Sequence, residues 1–254
     1  MEKLEIQEYN LNIKLDGVVN IIGLPASGKT YLLKKLINKI PSTDIFIDGQ
    51  NIKNLPLDYL QKNIAVVFND NKFNTEYAEE ELIYYQDKLG ISRDLSTEKI
   101  KNLAKYFNIE ELLVSKINLL KENEKILIKI LSLLIINPSI LGIDNLLTYL
   151  TIENKMKLLK YAKENNITIL SVTNNKEELL LGNYILIIDN YKVADYGKTE
   201  ILLKDEKLLS KYGMKMPFII ELSSGLNYYD LLKNDYSDEK TLILSLIHIW
   251  RCRR

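Results

Sequence analysis

The sequence predicts an α/β protein with a parallel β-sheet core, an antiparallel β element and an inserted helical lobe. Three observations support this class. Short apolar runs that suit buried strands alternate with segments whose apolar residues recur at helical spacing. One strand and the following helix are joined by a glycine-containing loop at residues 23–30. Helical spacing also dominates the segment from about residue 76 to 136, which separates two groups of strands.

The first elements surround the glycine-containing loop. VVNII (Val18–Ile22) is a β-branched run of strand length and precedes the loop directly. After the loop, leucines and isoleucines recur at helical spacing over 32–40. The next segment, Asp44–Ile52, alternates around an Asp-Gly pair and so favours a β-hairpin. IAVVF (Ile64–Phe68) predicts the strand that follows.

Strands and helices alternate again after the inserted helical segment. SILGID (Ser139–Asp144) predicts a buried strand that ends in an acid. Alternation of this kind favours parallel strands joined by right-handed crossovers. The remaining predicted elements are a helix over 153–165, the strand Ile167–Thr173, a short helix over 176–181, the strand Tyr184–Ile188, a turn at Asp189-Asn190 and the strand Lys192–Tyr196.

The composition excludes several functional classes. Hydrophobic residues are 46% and charged residues 27% of 254, which suits a globular chain with a sizeable core. Lys plus Arg equals Asp plus Glu at 34 each, which argues against a nucleic-acid partner. One cysteine excludes a disulfide framework, and one histidine disfavours His-based metal or triad chemistry. The N-terminus has no apolar signal core, and the longest apolar stretch, 126–136, is too short to span a bilayer.

The last eleven residues, LSLIHIWRCRR at 244–254, differ abruptly in composition from the rest. They contain the only Trp, His and Cys of the chain and three of its four arginines. The string reads as the translation of a transposase-type sequencing adapter in which UGA encodes Trp. We therefore expect the natural chain to be cut near Ile243 and 244–254 to be a non-native tail. A genuine basic tail is the alternative, and re-sequencing the gene past codon 243 distinguishes the two.

The loop GLPASGKT matches the phosphate-binding motif G-x-x-x-x-G-K-[ST] in full. Its glycines let the backbone curl so that N–H groups face inward as an anion nest, and the following helix adds its positive N-terminal end. The lysine would reach the β- and γ-phosphates of ATP, and the threonine hydroxyl would bind Mg²⁺. A glycine-containing turn with a surface lysine is the alternative. The candidate nucleotide-binding residues of the loop are Gly23, Leu24, Pro25, Ala26, Ser27, Gly28, Lys29 and Thr30.

An acid at the end of a neighbouring buried strand is the second requirement for such a site. Asp144 closes SILGID and meets it. We expect Asp144 to hold the Mg²⁺ shell with Thr30, through a water molecule. A helix N-cap aspartate is the alternative role. Loop and acid together predict a P-loop NTPase with a RecA-like parallel sheet core.

From about residue 9 to 229 the chain resembles an ABC-type ATPase. GLPASGKT, the hairpin DIFIDGQNI, IAVVF, a helical insertion, NPSILGID, ITILSVT and YILIIDNYKVADYGKTEIL follow in the family's order. The piece at 208–226 resembles the nucleotide-binding subunits of energy-coupling factor transporters. The resemblance implies one nucleotide-binding domain over 1–243. Its core would span about 1–75 and 137–207, its helical lobe about 76–136 and its C-terminal extension about 208–243.

The chain departs from the family at the positions that serve hydrolysis. Asn145 stands where the family has the glutamate that activates water, and an amide cannot accept the proton. Asn174 stands where the family has a histidine that contacts the γ-phosphate. Asn69 takes the place of the family's glutamine, which would make it a third Mg²⁺ ligand. No catalytic residue of the family is therefore intact.

Two further departures lie in segments that, in the family, face the second subunit of the dimer. LKENE (Leu120–Glu124) aligns with the family's LSGGQ, whose serine and glycines are missing, and Thr151 takes the place of an acid. An acid at that stretch would repel the γ-phosphate of ATP bound across a dimer. The family's adenine-stacking aromatic is also not evident. Tyr9 is a candidate, with a packing or surface role as the alternative.

The resemblance implies an ATP-binding subunit of a transporter that imports a vitamin, metal ion or similar micronutrient. Its cofactors would be ATP and Mg²⁺. Its partners would be a second ABC-type ATPase subunit and integral membrane subunits that hold it on the cytoplasmic face of the membrane. Because LKENE departs from LSGGQ, we expect the second ATPase subunit to be a different and more complete chain and not an identical copy. The departures predict weak or partner-dependent hydrolysis. The alternatives are a soluble P-loop ATPase acting on ribosomes or DNA, a small-molecule kinase, and a scaffold.

Overall fold

The computed structural model describes residues 3–6, 11–14, 17–70 and 72–229 of the chain. Ten strands are described there: β1 (Lys3–Ile6), β2 (Leu11–Lys14), β3 (Val18–Ile22), β4 (Ile45–Ile47), β5 (Gln50–Asn51), β6 (Ile64–Val67), β7 (Ile140–Asp144), β8 (Thr168–Val172), β9 (Tyr184–Asp189) and β10 (Lys192–Lys198). Nine α-helices are described in the same ranges: α1 (Lys29–Leu36), α2 (Leu57–Asn63), α3 (Ala78–Lys88), α4 (Arg93–Phe107), α5 (Glu122–Leu134), α6 (Ile152–Glu164), α7 (Thr199–Leu202), α8 (Glu206–Lys211) and α9 (Phe218–Tyr228).

A six-stranded sheet in the order β10-β9-β3-β8-β7-β6 forms the core. The strands β9, β3, β8, β7 and β6 are parallel, and only the edge strand β10 runs antiparallel, to β9. Every residue of β3, β6, β7 and β8 is buried, which explains their continuous apolar runs. The predicted α/β class with a parallel core is confirmed. Parallel pairing also brings the carboxyl ends of β3, β8 and β7 to one edge of the sheet.

A second sheet, in the order β2-β1-β4-β5, is antiparallel throughout. The predicted hairpin is its β4–β5 pair, with Asp48 and Gly49 at φ 48° and 80° as a left-handed turn requires. The sheet is larger than the 44–52 element expected from the sequence, because β1 and β2 join it. Leu4, Ile6 and Ile13 pack there into one cluster with residues of β4 and α1.

The segment between β6 and β7 is helical, with α3, α4 and α5 as its main elements. In α5, eight of the thirteen residues are buried, so the helix is the apolar centre of the lobe. Its side chains share one core with α3, α4 and the neighbouring faces of β6 and β7. The lobe therefore packs on one face of the sheet, against β6 and β7.

The short helix predicted over 176–181 is confirmed and is a 3₁₀-helix. The structure corrects one local prediction. The turn between β9 and β10 places Asn190 and Tyr191 in left-handed backbone conformation, one residue later than the expected Asp189-Asn190. Over the described ranges, none of the helices is both long and apolar enough to cross a bilayer. The predicted tail at 244–254 lies outside the described residues.

Candidate functional site: a phosphate loop and the acid at the end of β7

The loop Gly23–Thr30 connects β3 to α1 and has the backbone of a closed turn. Gly23, Ala26 and Gly28 have φ values of 151°, 60° and 107°. A Cβ on Gly23 would lie 2.1 Å from the carbonyl oxygen of Ile188, and one on Gly28 would lie 2.8 Å from the Cα of Tyr191. Both positions therefore require glycine, for the backbone angle and for the space.

Lys29 is folded into the loop and is only 7% exposed. Its ammonium donates hydrogen bonds to the carbonyl oxygens of Gly23 at 2.6 Å and Leu24 at 2.8 Å. Burial lowers the pKa of Lys29, and the nearby Asp144 carboxylate opposes that shift. The alternative of a turn with a surface lysine is wrong, because this side chain is enclosed by its own loop.

Thr30 and Asp144 lie 114 positions apart in the sequence and meet in the fold. The Thr30 hydroxyl donates a hydrogen bond to Asp144 Oδ2 at 2.9 Å. Asp144 is 6% exposed. Burial raises its carboxyl pKa, while the Thr30 hydrogen bond and the Lys29 charge lower it. Asp144 is no helix cap, since the next helical turn, Leu147–Tyr149, is preceded by Leu146 as its N-cap.

The remaining oxygen of that carboxylate bears on which kind of ion these residues could hold. Asp144 Oδ1 is buried, and no donor among the described residues bonds to it. An orphaned carboxylate oxygen beside a threonine hydroxyl is a donor set that suits a hard cation. Thr30 and Asp144 therefore fit Mg²⁺ at the end of the phosphate loop.

The three asparagines singled out in the sequence lie at the same edge of the sheet. Asn145 directly follows Asp144 at φ 55°, and its N–H donates to the carbonyl oxygen of Val172 at 3.0 Å. Asn174 lies one residue beyond Thr173, after β8, and is exposed. Asn69 follows β6 and is exposed as well. It lines a cavity of about 470 Å³ between the end of β6 and the start of α5.

The LKENE stretch forms the start of α5. Lys121 is the N-cap, and Glu122 and Glu124 lie in the first turn. The Glu124 carboxylate accepts a hydrogen bond from the N–H of Lys121 at 2.8 Å. One exposed N–H at this helix start is therefore already bonded, and the turn carries two negative charges.

Two features near the site were missed in the sequence. Tyr191 packs on Gly28, and its N–H donates to the carbonyl oxygen of Ser27 at 2.7 Å. If the β9–β10 turn had been predicted one residue later, Tyr191 would have been identified as a turn residue beside the loop. Glu178 bonds both Thr173 and Lys155, and its position in a short 3₁₀-helix gives no sequence signal. Tyr9 lies outside the described residues, and Thr151 is the N-cap of α6, where its side chain accepts from the N–H of Asn154.

Several curated proteins are similar to this chain over most of its length. The "Energy-coupling factor transporter ATP-binding protein EcfA1" of Mycoplasmopsis synoviae (strain 53) is 27% identical over 234 residues, which are 89% of this chain and 88% of that protein. The "Energy-coupling factor transporter ATP-binding protein EcfA" of Onion yellows phytoplasma (strain OY-M) is 27% identical over 236 residues, 90% of this chain and 84% of that protein.

Solved structures show the same fold. The cbiO1 protein of Clostridium perfringens, described as part of the ABC transporter complex cbiONQ, superposes with a TM-score of 0.71 at 20% identity. The match covers 82% of this chain and 93% of that one. The sequence profile of the family described as ABC transporter matches residues 6–148. Because this match covers more than half of the chain, the chain belongs to the ABC transporter family.

Proposed function

We propose that this chain is the ATP-binding subunit of an energy-coupling-factor-type transporter. The observation that carries the proposal is the contact between Thr30 and Asp144 at the end of an intact phosphate loop. A buried, incompletely bonded carboxylate beside the loop supports Mg·ATP binding there. The names of the similar proteins from Mycoplasmopsis synoviae and Onion yellows phytoplasma support the transporter class. The imported compound would be a vitamin, a metal ion or a similar micronutrient.

Different groups of the loop and its neighbours would bind different parts of Mg·ATP. The backbone N–H groups of the loop, which Pro25 does not supply, would surround the phosphates, and the N-terminal end of α1 would add favourable charge. Lys29 would leave the carbonyl oxygens of Gly23 and Leu24 to pair with the β- and γ-phosphates. Thr30 and Asp144 would hold Mg²⁺, with Asn69 as a further ligand from the end of β6. When bound, the ion would neutralise charge that develops on the phosphates.

Hydrolysis is weak in this proposal because the proton-accepting groups are absent. Asn145 and Asn174 can orient water and donate hydrogen bonds, but neither accepts a proton at neutral pH. Loss of a general base commonly costs two to four orders of magnitude in rate. The α5 start, with Glu122 and Glu124, also opposes a γ-phosphate from a second subunit. Turnover would then depend on a more complete partner subunit, and the pair would work against integral membrane subunits at the cytoplasmic face.

The experiment measures Mg·ATP binding by calorimetry and ATP hydrolysis in parallel. We expect saturable micromolar binding that Lys29→Ala abolishes and that Lys62→Ala, an exposed lysine on α2, leaves unchanged. Hydrolysis by the chain alone should be barely detectable. In a chain that also carries Lys121→Ser, Glu122→Gly, Asn123→Gly and Glu124→Gln, the double variant Asn145→Glu and Asn174→His should raise the rate about 100-fold or more.

Two results would contradict the proposal in different ways. Absence of Mg·ATP binding in the unaltered chain would remove the nucleotide site itself. A hydrolysis rate that the double variant does not raise would show that the asparagines do not limit turnover. Co-purification with integral membrane proteins tests the transporter role against the alternatives of a soluble ATPase and a kinase.

A further inference from the structure

The phosphate loop is in contact with a segment near the C-terminal end of the described chain. This C-terminal segment, residues 206–228, comprises α8, α9 and the connection between them. Gly213 lies in the connection, and a Cβ added to it would be 3.0 Å from Cδ2 of Leu24. Leu24 is the second residue of the phosphate loop. The two segments therefore meet at the end of the Leu24 side chain and the backbone of Gly213.

The connection at Gly213 is fixed to the core of the molecule. The N–H of Met214 donates to the carbonyl oxygen of Leu209 at 2.9 Å. Leu209, Tyr212 and Met214 are buried in one cluster with Ile22, the residue directly before the phosphate loop. Gly213 has a φ of 74°, a left-handed conformation that closes the turn between α8 and α9. The surface that the phosphate loop meets is therefore held in a defined position.

Leu24 is also bonded to the lysine of the phosphate loop. Its carbonyl oxygen accepts hydrogen bonds from the Lys29 ammonium at 2.8 Å and from the N–H of Ser27 at 3.1 Å. Its side chain is 42% exposed and reaches from the same residue to Gly213. A displacement of Leu24 would therefore move an acceptor of the Lys29 ammonium and break a bond that closes the loop.

The C-terminal segment is bonded to a second loop of the site as well. The N–H of Phe218, at the start of α9, donates to the Glu177 carboxylate at 3.0 Å. Lys176 and Glu221 add a surface ion pair of 3.9 Å. Glu177 lies three residues after Asn174, beyond the end of β8, and β8 is next to β3 in the sheet. The C-terminal segment therefore contacts the loops that follow two adjacent strands of the site.

We propose that the C-terminal segment sets the ATP affinity of the site by holding the phosphate loop at Leu24, which makes Leu24 a positioning residue for Lys29. This inference rests on the proposed nucleotide site. A loop that is held in its binding conformation before ATP arrives loses less conformational entropy on binding. Release of Leu24 would remove that advantage and weaken binding. By thermodynamic reciprocity, bound ATP must stabilise the contact by the same factor.

Two substitutions remove the contact from its two sides. Leu24→Ala deletes the Cδ atoms and keeps the carbonyl oxygen that accepts from Lys29. Gly213→Asn adds a Cβ 3.0 Å from Leu24 and further atoms beyond it, and asparagine tolerates a positive φ. Calorimetry on the full chain should give a dissociation constant for Mg·ATP that is raised about fivefold or more in each variant. The double variant should bind like Leu24→Ala, because the added side chain then meets no leucine.

Gly90→Asn is the matched control for the change at Gly213. Gly90 has a similar φ of 69°, and a Cβ there would meet nothing within 4 Å. This variant should bind Mg·ATP within about twofold of the unaltered chain.

Hydrogen exchange at the amides of Gly213 and Met214 gives an independent readout. Saturating Mg·ATP should slow their exchange about fivefold or more in the unaltered chain and less than about twofold in Leu24→Ala. A role of Leu24 confined to folding of its own loop would not produce this difference in the C-terminal segment.

Dissociation constants of Leu24→Ala and Gly213→Asn within about twofold of the unaltered chain would overturn the inference. Losses that multiply in the double variant would overturn it too, since the two residues would then act independently. Equal slowing of exchange in the unaltered chain and Leu24→Ala has the same meaning. In each case, Mg·ATP binding that Lys29→Ala abolishes keeps the proposed function intact. Failure of the unaltered chain to bind Mg·ATP refutes both proposals.

Discussion

The folded state disfavours the ionised form of the Asp144 carboxyl group. Burial raises its carboxyl pKa above the unfolded value, although Thr30 and Lys29 lower it in part. The folded state therefore binds more protons than the unfolded state between the two pKa values. Stability from this group is complete below the ordinary carboxyl pKa of about 3.9 and is lost as the pH rises through the folded pKa.

Asp144→Asn should accordingly raise the melting temperature at pH 7 in the absence of nucleotide, because it removes the buried charge. The difference from the unaltered chain should shrink as the pH is lowered toward 4. Thermal melts across this range check the sign. The same variant should weaken Mg·ATP binding about tenfold or more, because a neutral amide is a poorer Mg²⁺ ligand than a carboxylate. A lower melting temperature at pH 7 would contradict the assignment of a desolvated carboxylate.

Substitutions at Gly28 and Gly49 separate the backbone strain of an added side chain from its steric clash with neighbouring residues. Both have positive φ, at 107° and 80°. A Cβ on Gly49 would meet nothing within 4 Å, whereas one on Gly28 would meet Tyr191 at 2.8 Å. Gly49→Ala should cost about 1–2 kcal/mol of unfolding free energy through backbone strain alone. Gly28→Ala should cost more in urea denaturation and also reduce ATP binding, and equal losses of stability would argue against the close packing of Tyr191.

At the scale of elements, Glu178 joins β8 to α6. Its carboxylate accepts a hydrogen bond from the Thr173 hydroxyl at 2.6 Å and pairs with the Lys155 ammonium at 2.8 Å. The Glu178 and Lys155 side chains are 4% and 14% exposed. The neighbouring Glu177 accepts from the N–H of Phe218 at 3.0 Å, which anchors the start of α9. The 3₁₀-helix over 176–181 therefore connects the end of β8, beside Asn174, to two helices.

Glu178→Ala should lower the unfolding free energy by about 3–5 kcal/mol, because Lys155 is left charged and unpaired in the interior. The double variant Lys155→Met and Glu178→Leu should recover most of that loss, since it removes both charges. Glu164→Ala is the control: its pair with Lys160 is exposed and 3.8 Å long, and its loss should cost less than about 1 kcal/mol. Urea denaturation gives all three values, and equal losses in the single and double variants would refute the ion-pair argument.

At the scale of the whole molecule, the start of α5 governs association with a second subunit in the proposed function. Glu122 and Glu124 add negative charge where a γ-phosphate would need donors, and Glu124 already bonds the N–H of Lys121. The chain should therefore remain monomeric in Mg·ATP when it is alone. Sedimentation velocity with and without Mg·ATP measures this directly.

Restoring LSGGQ provides the matched variant for that measurement. The changes are Lys121→Ser, Glu122→Gly, Asn123→Gly and Glu124→Gln. They remove the two negative charges and free the helix N-terminus, so Mg·ATP should now promote dimers, whether position 145 is Asn or Glu. ATP-driven dimers of the unaltered chain, as abundant as those of the restored variant, would contradict the role given to this stretch.

The sequence predicted the central sheet well because buried parallel strands have a strong local pattern. The predicted strands Val18–Ile22, Ile64–Phe68 and Ser139–Asp144 agree with β3, β6 and β7 to within one residue. The strands β1 and β2 were missed, because each has only four residues and alternation over so short a stretch carries little signal. Their place in the antiparallel sheet depends on pairing with each other and with β4.

The phosphate loop could be identified from eight consecutive residues, because its chemistry is that of its own backbone and two side chains. The contact of Thr30 with Asp144 could be expected in part, since parallel strands end at one edge of the sheet. What only the tertiary structure decided are contacts between distant segments: Tyr191 on Gly28, and Glu178 with Lys155. Neither pair has a local pattern, because burial and approach at those positions are set by the packing of the whole fold.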